Sequence, residues 1–318
     1  MSLAQVGKGH VTAPAIYLIE TGRTRPSLPT LEHIAQRTGK PVEFFLADPA
    51  GTTDETQAAL ADLEAMVADG RYNQAIQLGR SLLNLGTSAY RLGRIRYFLA
   101  IAYLQLAQPD MAVGLLAEAR AHFEAINDTV MLTECLGAEA TLAYLTQKPN
   151  SLELAQKALA VCRSLTPVPT PTEARLLGIV ATAHIANFEW DKAVEFYEKA
   201  IEAAGSYFDL RGMAKMYSGL SSAYQELGQI DVAARYATRS VTLLEVLRDR
   251  VSLARSENNL GLILIARGDL DAARQHLDRA LELSEEADLA VGRSSVLLSL
   301  CELCLSEGNV EQAQAFAR

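Results

Sequence analysis

One residue recurs at a fixed interval: Ala193, Ala233, Ala273 and Ala313 lie 40 residues apart. Each stands three residues after an apolar one, Trp190, Ile230, Leu270 or Val310. The flanking residues repeat as well, as in Gly228-Gln-Ile-Asp-Val-Ala-Ala-Arg and Gly268-Asp-Leu-Asp-Ala-Ala-Arg-Gln. Looser copies surround Ala75, Ala112 and Ala155, so the intervals before the regular stretch are 37, 43 and 38 residues. A unit of this length cannot bury its apolar face alone. The chain must therefore stack its units into an array with a shared core.

The units read as helix pairs. A large, then a small, then a bulky residue marks each first helix, as in Leu220-Ser221…Tyr224 and Leu260-Gly261…Leu264. Each second helix has Ala where the partners cross, a bulky residue four later, and a closing Ala, as in Ala273…Leu277…Ala280. Five of the ten Pro residues lie in the first 50 positions and none in the last 147. Pro breaks a helix interior, so the long Pro-free stretch favours helix throughout. Seven pairs are counted, the last cut off inside its second helix. Residues 48–54 read as a linker to a separate unit at 1–47, and Thr166–Pro171 as a stiff connector between the third and fourth pairs.

This pattern resembles the tetratricopeptide repeat over residues 55–318. The resemblance implies an all-α fold, a right-handed superhelix of about seven ~40-residue pairs, and a concave face lined by the first helices. Arg175, Lys215 and Arg255 occupy one slot of three successive first helices, and Arg94 the equivalent slot of the second pair. Ser218 and Asn258 follow three residues after two of them. In an acidic chain (29 Lys plus Arg against 38 Asp plus Glu, net charge −9) an aligned basic set suggests an anionic peptide or protein segment as guest. Solvated charges or ion pairs within the chain would give the same pattern.

The run Ile19-Glu-Thr-Gly-Arg-Thr-Arg-Pro-Ser-Leu-Pro-Thr-Leu31, with Ile34-Ala35 and Gly39-Lys-Pro-Val-Glu-Phe-Phe-Leu46, resembles the Cro/lambda-repressor (XRE) helix-turn-helix family. The resemblance makes the helix from Thr12 the DNA-reading one, with Ala13 and Tyr17 toward base edges and Thr12, Arg23 and Arg25 near phosphates. The family's preceding helix is missing from the sequence, and Leu3, Val6, Ile16, Ile19, Leu31 and Phe45 are expected to lack packing partners. A longer natural chain is one expectation from this. A third helix is expected from Ser27 to a Gly39 terminator. Residues 1–50 carry +1 and the remainder −10, so only this unit suits DNA.

Together the two regions resemble peptide-pheromone receptors of the RNPP type. That resemblance implies a cytoplasmic, homodimeric transcription regulator whose array senses a peptide. The alternative is a protein-interaction adaptor that does not bind DNA. No cofactor and no enzymatic activity are expected, since no nucleophile–base pair, glycine-rich phosphate loop or metal-spaced cluster stands out. Cys301 and Cys304 read as core packing, and so does His184, which sits where the repeat favours Tyr. Apolar residues make up 49%, enough for a core, and no run suits a membrane span.

Overall fold

The structure is a computed structural model. It describes residues 6–7, 11–12, 15–16, 19, 26–39, 42, 53–84, 89–205, 209–287 and 289–317. The described residues form fifteen helices and no strand. Helix α1 spans Leu28–Thr38. Seven antiparallel pairs follow: α2 (Thr53–Ala68) with α3 (Tyr72–Asn84), α4 (Ala89–Gln105) with α5 (Pro109–Ala125), and α6 (Thr129–Leu145) with α7 (Ser151–Ser164). Then come α8 (Thr170–Ala186) with α9 (Trp190–Gly205), α10 (Leu210–Glu226) with α11 (Ile230–Leu247), α12 (Arg250–Arg267) with α13 (Leu270–Glu286), and α14 (Ala290–Ser306) with α15 (Val310–Phe316).

The periodic alanines are where the pairs close. Ala193, Ala233 and Ala273 are wholly buried and Ala313 nearly so. A methyl is all that fits between helices approaching this closely. Opposite Leu277, even a methyl is too much: a Cβ at Gly261 would lie 2.6 Å from a Leu277 methyl. The apolar residue three positions earlier is the first residue of α9, α11, α13 and α15.

One turn joins the helices of every pair. Its central residue has positive φ: Gly70, Ala107, Gln147, Phe188, Gly228, Gly268 and Gly308. The next residue donates its N–H to a carbonyl five positions back, as in Arg71 to Met66 (2.8 Å) and Asp269 to Leu264 (3.0 Å). This is a Schellman stop. Two first helices in the second half begin on an acidic cap. Asp209, Asp249 and, for a second helix, Asp269 accept from the N–H three residues on, at 2.8, 3.1 and 3.4 Å. Each such cap contributes about 1 kcal/mol.

Three large apolar clusters run through the stack. The first contains an unexpected membership. Leu60, Tyr72 and Leu106 of the opening pairs share it with Val251, Ala254 and Leu289 of the sixth and seventh. The array therefore curls until its beginning touches its end region, forming a seam.

At the N-terminal side, α1 stops at Gly39 (φ 67°), whose N–H donates to Ala35 O. Ser27 stands at its N-cap position but makes no side-chain cap bond; its hydroxyl meets Thr30 Oγ1 at 2.9 Å instead. Val6 and Ile16, expected to be without partners, are buried against Ile34, with Ile19 packed on them. The three residues supply a small core of their own. Leu28 and Leu31 of α1 face Ala121 and Ala125 of α5, and Ile126 just beyond it, across a cavity of about 330 Å³. Leu3 and Phe45 lie outside the described residues. No helix among the described residues is long and apolar enough to cross a membrane.

Candidate functional site

The four cations picked from the repeat slot have different surroundings. Arg94 pairs with Glu64 of α2 at 2.7 Å. Burial raises the Glu64 carboxyl above its ordinary value, more than Arg94 lowers it. Arg175 pairs with Glu134, one period back on α6. Glu134 also accepts from Tyr97 Oη (2.8 Å) and Thr172 Oγ1 (2.6 Å), so α4, α6 and α8 meet at one carboxylate. Burial alone would raise Glu134, but Arg175 and the two hydroxyl donors outweigh it and hold the carboxyl below its usual range. Loss of water likewise opposes the Arg175 charge, and Glu134 overcomes it. Arg94 and Arg175 are therefore neutralised within the chain.

Lys215 and Arg255 are not. Both point across the curl to the last residue of α4. Lys215 Nζ donates to Gln105 Oε1 at 2.8 Å, and Arg255 donates to the Gln105 main-chain oxygen. Neither makes an ion pair among the described residues. Both side chains reach water, yet protein crowds them. Loss of hydration pushes Lys215 down to about 8 and lowers Arg255 as well.

Beside them, on the late wall of the seam, an ion pair joins neighbouring units. Asp249, 0% exposed in its side chain, pairs with Arg211 while capping α12. The turn of the first pair sits against that ion pair. A Cβ on Gly70 would come within 2.8 Å of Arg211 Nη1 and 3.0 Å of Asp249 Cγ. Tyr72, next to this turn, has its hydroxyl pushed up to about 12, chiefly by burial and then by Asp249.

Between the two walls is a cavity of about 360 Å³. Asn73, Leu106 and Gln108 line one side, and Arg255, Asn258 and Val296 the other. The Asn258 carboxamide oxygen is sealed from solvent and accepts no hydrogen bond. Of the other groove candidates, Ser218 offers its main-chain oxygen to Ser221 Oγ (2.7 Å) and Asn259 Nδ2 (3.4 Å).

Of the DNA-facing candidates, Thr12 is exposed, and its hydroxyl accepts weakly from Ala15 N–H at 3.4 Å. Ala13, Tyr17, Arg23 and Arg25 lie outside the described residues. His184 is buried, stacked on Phe196 (centroids 5.2 Å apart) and bonded through Nδ1 to Glu189 at 2.7 Å. Cys304 is buried and Cys301 half-buried, its thiol directed at Ala313 O. Gln105, Arg211 and Asp249 escaped the sequence reading. Only the Asp cap before α12 left a trace, and that trace reads as a cap rather than a clasp.

Residues 253–287, from within α12 to the end of α13, match the tetratricopeptide repeat family. The whole chain resembles solved structures of low sequence identity. The array has a tetratricopeptide-type fold. A Rap protein complexed with competence and sporulation factor aligns with 95% of this chain and 93% of its own, at 15% identity and a TM-score of 0.65. Aspartyl phosphate phosphatase F from Bacillus subtilis aligns over 85% and 94%, at 12% identity and 0.54. The apo form of RapI aligns over 94% and 82%, at 14% identity and 0.51. No curated protein matches the sequence.

Proposed function

We propose that this tetratricopeptide-type array binds an anionic peptide or protein segment on its inner face. The observation that carries the reading is the pair Lys215 and Arg255. Among the described residues these two cations face across the curl without an ion-pair partner. Crowded cations of this kind favour an incoming anion, because the anion restores what lost hydration took away. That the Rap protein of nearly the same extent is seen complexed with a factor supports this reading. Arg94 and Arg175 act in it as structural partners of Glu64 and Glu134, not as guest contacts. The test is fluorescence anisotropy against a library of labelled acidic heptapeptides, repeated on Lys215→Glu with Arg255→Glu. Binding that weakens at least about tenfold in the variant supports the proposal; a library with no member tighter than about 100 μM refutes it.

Within this reading the chain serves as a cytoplasmic, homodimeric regulator rather than an enzyme, with DNA binding through residues 1–47. The XRE-like run and the small core around Ile16 and Ile34 support that finer role. A gel shift across a salt series, with no preference for its own promoter over random DNA, would reject it. The adaptor reading then remains.

A further inference from the structure

We propose that the seam cavity is a binding site for a small carboxylate-bearing molecule, and that such a ligand fastens the two sides of the curl together. Its volume, about 360 Å³, falls in the range of sites that take small organic ligands. Two groups on its wall lack the partner their chemistry requires. The Arg255 guanidinium makes no ion pair among the described residues; its contact is the neutral Gln105 carbonyl. The Asn258 Oδ1 atom is sealed from water and accepts nothing. Lys215 adds a second positive charge at the same Gln105, and Asp249 is committed to Arg211. Leu106, Leu289 and Val296 add an apolar surface beside the polar Asn73, Gln108 and Ser295.

The complement of this wall is a molecule with three parts. A planar carboxylate suits the guanidinium fork. An N–H donor suits the Asn258 oxygen once a turn of that carboxamide brings it into the cavity. A compact apolar body suits the leucine and valine surface. One wall comes from residues 73–108 and the other from 254–296, so a ligand touching both binds only the curled array and stabilises it by mass action. The site shares Arg255 with the proposed peptide face but does not rest on it, because the cavity encloses a small molecule rather than an extended chain.

N-acetyl-leucine carries all three parts and is the probe; its C-terminal amide, which lacks only the charge, is the control. Calorimetry on the full chain is expected to show the acid binding at least about tenfold more tightly than the amide, with a rise in Tm. Asn73→Trp, at an exposed position on one wall, fills the cavity and is expected to abolish binding. Ser295→Phe on the opposite wall serves where that variant does not fold. The proposal is overturned if acid and amide bind alike, if neither binds at millimolar concentration, or if both filling variants bind as the parent does. A leucine-terminated acidic heptapeptide run in parallel separates the two readings. Peptide binding without acid binding removes this site and leaves the peptide face standing, and the converse removes the peptide face.

Discussion

Gly70 and Gly228 allow the seam to be weighed against an internal control. Both are the left-handed residue of the same turn, with φ of 77° and 73°. Alanine in that conformation costs about 1–2 kcal/mol at either position. Around Gly228 there is nothing within 4 Å of the new methyl, so its cost ends there. At Gly70 the methyl would stand 2.8 Å from Arg211 Nη1 and 3.0 Å from Asp249 Cγ. Either the turn withdraws or the buried pair separates. Losing one partner of a buried pair costs about 3–5 kcal/mol, and relaxation recovers part of it. Gly70→Ala is thus expected to cost about 2 kcal/mol more than Gly228→Ala, roughly a thirtyfold difference in the folding equilibrium. Urea denaturation followed by circular dichroism measures both. Repeating Gly70→Ala on an Arg211→Ala background should erase the excess, since the two residues then no longer compete for space. Equal costs for the two alanines in the parent chain would refute the seam as a stabilising contact.

Three further outcomes are expected. Glu134 titrates below its ordinary value in the folded chain, so its contribution is complete above about pH 4.5 and is lost as pH falls through the lowered value; urea midpoints across pH 2–6 should show Arg175→Gln losing stability at higher pH than the parent. Lys215, held near 8, should react with trace acetic anhydride at pH 8 ahead of Lys192 and Lys199, whose amines are ion-paired, as read by peptide mass spectrometry; because its folded value lies below the unfolded one, its penalty is relieved between about pH 8 and 10.5. Iodoacetamide at pH 8 should modify half-buried Cys301 before Cys135, whose thiol burial pushes up to about 12, and reversal of that order would contradict the packing of α6.

The stacking was legible because it is written at a fixed interval. Ala193, Ala233 and Ala273 mark each crossing, and Gly228, Gly268 and Gly308 mark each turn. The turns at Ala107, Gln147 and Phe188 take the same conformation without Gly, so the sequence hid there a turn that the backbone keeps. The ladder slot was legible as a slot, but not its charge balance. Arg175 finds Glu134 one period earlier, a pairing the spacing contained, whereas Lys215 and Arg255 meet Gln105 across 110 and 150 residues. Contacts at such separation follow from the summed rotation of the pairs, which no single unit encodes. Asp249 illustrates the same limit. In sequence it is a cap like Asp209; its pairing with Arg211 lies within one period, and only the curl brings Gly70 against that pair.

An open stack of repeats unravels from its termini, because each outermost unit has one neighbour. Here the opening pairs hold partners among the fifth to seventh, so fraying at either extremity must first release a contact at the other. Amide exchange in α3 and α12 should consequently slow together, and both should quicken together once Asp249 is replaced, as in a hoop whose fastening has been cut.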